Sequence, residues 1–83
     1  MAHVYILRSL KDGGYYYGST GDLQARLKAH DAGRVRSTKS RRPFVLHYHE
    51  ECDSLRLARQ RENFFKSIKG YKWLRESGII REA

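Results

Sequence analysis

Five polar side chains in this 83-residue chain either face inward or share a surface: Tyr5, Tyr16, Arg26, His30 and Glu62. They supply two phenols, a guanidinium, an imidazole and a carboxylate. The set is poor for acyl transfer, because no serine or cysteine stands in a nucleophile motif. The only cysteine, Cys52, reads as a small buried apolar residue. Glycosidic hydrolysis needs two carboxylates, and one is placed. No glycine-rich loop of the P-loop kind is present. Phosphodiester cleavage suits the set. One carboxylate can hold Mg²⁺ with waters filling its other positions. An arginine can grip a phosphate in bidentate fashion and stabilise its added negative charge. A phenol can take the proton of an attacking water once a cation lowers its pKa of ~10.

These residues need elements to position them. Ala2 to Ser9 alternates, with Val4, Ile6 and Arg8 on one side and His3, Tyr5 and Leu7 on the other, which predicts a strand. Asp12-Gly13 is a two-residue hairpin signal, and Tyr15-Tyr16-Tyr17-Gly18 is the returning strand. With Asp12-Gly13 central, Lys11 faces Gly14 and Ser9 faces Tyr16. Tyr16 then shares a face with Tyr5 but is offset from it by about four residues, or ~13 Å, so the side chains must lean together or the register must differ. Tyr15 and Tyr17 line the other face as packing.

Thr20 or Asp22 can cap a helix to about Asp31, with Gly33 as its stop. Leu23, Arg26, Leu27 and His30 form its stripe, so packing through the leucines carries Arg26 and His30 to the edge of the contact. Phe44 to Glu50 predicts a third strand. A second helix runs from Asp53 or Ser54 to about Lys69 and is broken by Gly70; a short third helix covers Tyr71 to Ser77, with Trp73 as a core anchor. On the second helix Leu55, Leu57, Ala58, Phe64, Phe65 and Ile68 cover one side. Glu62 falls at the border of that side, where an unpaired carboxylate costs several kcal/mol, so it should have a cationic or metal partner. An ion pair with Arg26 would serve as well as a metal. Arg61 and Lys69 also fall inside the apolar arc.

The chain reads as a single domain over residues 1–83, with no linker, repeat or low-complexity tract. Seventeen Lys and Arg against nine Asp and Glu give a net charge of +8. Such an excess suits nucleic acid, polyphosphate or an anionic membrane surface, and a ribosomal or packaging protein would fit it too. It argues against a protein-interaction adaptor. The apolar fraction of 40% is too high for a disordered basic tail. No apolar run approaches the ~20 residues of a membrane span, and the expected location is the cytosol, with no membrane partner. Arg34, Arg36, Lys39, Arg41 and Arg42 fall on one loop without an acid, and Arg56, Arg59 and Lys66 on one helix face. Together they would track a nucleic-acid backbone with steep salt dependence. Few aromatics interleave with them, so sequence-specific reading is not expected.

Val4-Tyr5-Ile6 followed by Tyr16-Tyr17-Gly18 resembles the paired motifs of the GIY-YIG endonucleases. The resemblance continues through Gly18-Ser19-Thr20, Asp22-Leu23 with Arg26 and His30, Arg41-Arg42-Pro43, and Arg61-Glu62. It covers roughly Ala2 to Leu74, and the chain looks like the small stand-alone bacterial branch. The resemblance implies an α+β fold, a three-stranded antiparallel sheet flanked by helices. It implies a catalytic set of Tyr5, Tyr16, Arg26, His30 and Glu62, with Mg²⁺ (or Mn²⁺) on Glu62. It makes one tyrosine the general base, for which Tyr16 is favoured, and has His30 assist. Three positions depart from the pattern: His3 replaces the first motif's glycine, Ser19 the lysine of the repair nucleases, and Leu74 their later asparagine. The expected activity is hydrolysis of DNA phosphodiesters in repair or recombination. The alternative is a nucleic-acid-binding module of the same fold with little turnover.

Overall fold

The computed structural model describes residues 1–81. The chain forms β1 (Ala2–Ser9), β2 (Tyr15–Thr20), α1 (Leu23–Asp31), a 3₁₀ turn (Lys39–Arg41), β3 (Phe44–Cys52), α2 (Leu55–Lys66) and α3 (Ile68–Glu76). The strands make one antiparallel sheet in the order β2-β1-β3, an α+β architecture as expected. β1 is the central strand and is buried on both faces. Val4 and Ile6 pack with Phe65, Leu74 and Ile80, flanked by Tyr15, Tyr17 and Tyr48. Tyr5 and Leu7 pack with Leu23, flanked by Tyr16, Leu27 and Phe44. The alternation read from the sequence is therefore the real division between two cores.

The hairpin register differs from the expected one. Leu7 faces Tyr16 and Tyr5 faces Gly18, so Tyr16 stands two residues from Tyr5's partner rather than four. The offset along the strands falls to ~7 Å. The cause is a wider loop. Ser9 N–H donates to Gly14 O (2.8 Å), while the Ser9 hydroxyl accepts from the amides of Lys11 and Asp12 (3.1 Å each). Gly13 takes φ 74°, and the Asp12 carboxylate accepts from Gly14 N–H at 2.7 Å. A side chain thus supplies the acceptor that a two-residue turn would have found in the ladder.

α1 is capped as the sequence suggests. The Asp22 side chain accepts from Ala25 N–H, and Gly33 follows the helix with φ 74°. The helix break near the chain's end is corrected. It falls at Ser67, which closes α2 through its N–H to Phe64 O (3.0 Å) and caps α3 by accepting from Gly70 N–H (3.0 Å). Gly70 lies inside α3, where a Cβ would sit 1.6 Å from Phe64 O. It permits the two helices to meet at a corner rather than ending either.

That corner leaves Ile68 exposed, and Leu55 and Leu57 are exposed as well; Ala58 and Phe65 carry the buried contact of α2. Trp73, expected as a core anchor, is instead exposed, because its ring lies on the outer side of buried Phe65 with ring planes 6° apart. Arg61 sits in the apolar arc because its guanidinium lies 4.6 Å from the centroid of the Trp73 ring and pairs with Glu50 at 2.8 Å. Cys52 is half-buried against the Val4 core.

Candidate active site

The phenol of Tyr5 is the hub of the site. β1 buries Tyr5 completely and aims its hydroxyl toward α1. There it lies 2.9 Å from His30 Nε2 and accepts from Arg26 Nε at 3.4 Å. Both partners come from one stripe of α1, because positions four apart lie on the same helix face. The other nitrogen of His30, Nδ1, lies 2.8 Å from Thr38 Oγ1, and Thr38 donates its own proton to Val35 O at 3.3 Å. That arrangement sets the tautomer. Thr38 accepts from Nδ1–H, so Nε2 is bare and accepts the Tyr5 proton.

The electrostatics agree. Burial pushes the pKa of His30 down, with Arg26 adding to it, so the ring is neutral near pH 7. Burial raises the Tyr5 pKa, and the Arg26 hydrogen bond offsets only part of that rise. Tyr5 stays protonated. Its hydrogen bond to Tyr5 leads the raising of the Arg26 pKa, and Tyr16 adds to it. Tyr16 is only half-buried, and its ring centroid lies 5.2 Å from His30 and 6.5 Å from Tyr5. Gly18 makes room, since a Cβ there would sit 2.4 Å from the Tyr5 hydroxyl oxygen.

Glu62 approaches from the other side of the sheet. Ser19 faces Val4 across the ladder and so belongs to the α2 face; its hydroxyl donates to Glu62 Oε1 at 2.6 Å. Lys66 Nζ donates to Oε2 at 2.6 Å. The cationic partner expected for Glu62 is therefore Lys66, one helical turn on, and the suggested pair with Arg26 does not form. Tyr5, Tyr16, Arg26 and His30 are brought together, while Glu62 meets them around edge strand β2 at Gly18 and Ser19. Its charge is felt at Tyr5, whose pKa it raises slightly.

Among the described residues no three His, Cys, Asp or Glu side chains converge on one point. Zn²⁺ would need such a cluster. Mg²⁺ keeps several waters and commonly binds through one or two carboxylates plus substrate phosphate, so Glu62 beside the Ser19 hydroxyl fits it. Lys66 is exposed enough to release Oε2.

The expected nucleic-acid contacts separate into two kinds. Arg34, Arg36, Lys39 and Arg59 point no charge at any side chain among the described residues. Arg41 instead pairs with Asp12 at 2.8 Å and lies over the Phe44 ring, and Arg42 donates to the carbonyls of Lys39 and Asp31. The basic loop is partly structured by these contacts and by buried Val35 and Thr38. Thr38, which orients His30, was not singled out from the sequence, and no local signal marks it. Ser19 was noted only as a departure from a pattern, although its strand position put it beside Glu62's helix.

The family model of the GIY-YIG catalytic domain matches residues 1–72. The chain is 38% identical to a UPF0213 protein of Bacillus pumilus (strain SAFR-032), over 98% of this chain and 87% of that one. It is 44% identical to a UPF0213 protein of Streptococcus sanguinis (strain SK36), over 78% of this chain and 75% of its relative. No solved structure matches. With its paired tyrosine motifs on neighbouring strands and a match over most of its length, the chain belongs to the GIY-YIG family of nuclease domains.

Proposed function

We propose that the protein is a divalent-metal-dependent endonuclease that hydrolyses DNA phosphodiesters in the cytosol, in repair or recombination. The observation that carries this reading is the fixed polar chain Thr38–His30–Tyr5–Arg26, with the Glu62 carboxylate of α2 reaching the same site around edge strand β2 through Ser19. Arg26 binds the scissile phosphate and offsets its added charge. Tyr5 stays protonated and donates its hydrogen bond to His30 Nε2, so it positions Arg26 and water rather than accepting a proton. Tyr16, beside Arg26, is the phenol left to take the water's proton. Glu62 would hold Mg²⁺ or Mn²⁺, which when bound would offset charge on the phosphate and its leaving oxygen. Arg34, Arg36, Lys39 and Arg59 hold the flanking backbone.

A second reading is a binding module with little turnover, and the Lys66 pair on Glu62 favours it, since it occupies one carboxylate oxygen. One assay separates them: labelled duplex, single-stranded and branched DNAs with Mg²⁺ or Mn²⁺. Cleavage should be abolished by Glu62→Ala with binding kept. It should fall roughly 10²- to 10⁴-fold in Tyr16→Phe, the range of a lost general base. Chelation by EDTA should stop the wild type. Salt-sensitive binding without cleavage of any substrate would establish the module instead.

A further inference from the structure

The sheet face that carries α2 and α3 opens, at the hairpin end of the strands, into a pocket of about 470 Å³. That is within the ~300–1,000 Å³ of small-ligand sites. Arg8 and Tyr15 contribute from paired ends of β1 and β2, Gly13 from the hairpin, His47 from β3, and Ile79 with Arg81 from the segment after α3. Three contacts dock that segment. Ile80 is buried with Val4 and Ile6, His47 Nε2 donates to the Ile79 carbonyl, and the Arg81 amide donates to the Tyr15 hydroxyl at 3.3 Å. The docking brings Arg8 and Arg81, from opposite ends of the chain, to one opening.

The chemistry of the lining is one-sided. Among the described residues no carboxylate lines the pocket. The guanidiniums of Arg8 and Arg81 have no partner among the described residues. Since His47 Nε2 donates to the Ile79 carbonyl, Nδ1 is the ring nitrogen without a protein partner among them. Two planar forks and an imidazole match the several oxygens of a phosphate better than a single carboxylate.

We propose that this pocket binds a phosphate group through Arg8, Arg81 and His47. The pocket adjoins the basic loop, since Gly13 lines it and a Cβ on neighbouring Gly14 would touch Arg41. The phosphate can belong to a nucleic-acid backbone led around the hairpin or to a free phosphorylated molecule. Arg8, Gly13, Tyr15 and His47 lie within the matched span 1–72, and Gly78 to Arg81 lie beyond it. None of its residues belongs to the cleavage set, so it stands or falls apart from that reading.

The test uses the whole protein in EDTA, with two variants of equal charge change, Arg8→Ala/Arg81→Ala and Lys28→Ala/Lys69→Ala. Inorganic phosphate should shift the amide resonances of Tyr15, His47 and Arg81 saturably in the wild type and the lysine variant, and not in the arginine variant. In duplex titrations by fluorescence anisotropy, a backbone source lowers the salt slope by roughly 0.9 per arginine beyond any change in the lysine variant. Equal duplex binding by the two variants, with phosphate binding lost only in the arginine variant, assigns a free phosphorylated molecule. The absence of a saturable shift in the wild type, or its survival in the arginine variant, overturns the proposal.

Discussion

The hydroxyl of Tyr5 touches an acceptor on one side and a cation on the other, and both contacts are used in the fold as well as in the site. Tyr5→Phe would leave His30 Nε2 buried without a partner, at a cost of about 1–3 kcal/mol. Urea denaturation should show that loss, while cleavage should fall because Arg26 loses its stop. His30 makes the stability pH-dependent. Its folded pKa lies below the unfolded value of 6.5, so the folded state binds fewer protons through that window. The stability that neutral His30 contributes is complete above about pH 6.5 and declines as the pH falls below it. Thermal melts between pH 7.5 and 5 should show a falling Tm, and His30→Gln should flatten that slope. Glu50, held down by Arg61 against its burial, adds its own loss only in the carboxylate range below 4.5.

Elements meet with little tolerance where α2 turns into α3. A Cβ on Gly70 would overlap the Phe64 carbonyl, and backbone cannot swing aside as a side-chain tip can. Gly70→Ala should cost ~3 kcal/mol, read as a lower urea midpoint, with the helical signal largely kept below it. The same corner shows what was legible in the chain. Strand alternation, the Asp22 cap and the α1 stripe all depend on spacing within one segment, and each was readable. Gly70 carries a breaker's signal, yet its role is set by a carbonyl six residues back, in another helix. The hairpin register escaped for a similar reason, since the Ser9 hydroxyl widens a turn that Asp12-Gly13 would otherwise close. The candidate site follows the same division. Tyr5, Tyr16, Arg26, His30 and Glu62 were legible through their positions on elements. Thr38 was not, because only the folding of the basic loop brings it to His30.

Across the whole molecule the excess of +8 is unevenly available. Arg41 and Arg42 hold the basic loop in place, whereas Arg34 and Arg36 face no side-chain partner among the described residues. Arg34→Ala/Arg36→Ala should lower the salt slope of duplex binding by roughly 0.9 per residue and leave the Tm unchanged. Arg41→Ala should instead lower the Tm, since it frees Asp12 and uncovers Phe44. The phenols and the carboxylate approach from opposite faces of one sheet and meet only around β2, which lies at the sheet's margin. Main-chain amides and carbonyls along that margin have no ladder partner on their outer side among the described residues. An extended peptide could pair there as a fourth strand. It would roof over Gly18 and Ser19 and block the meeting point without touching a single reactive group, which makes the margin of β2 a natural handle for an inhibitor protein.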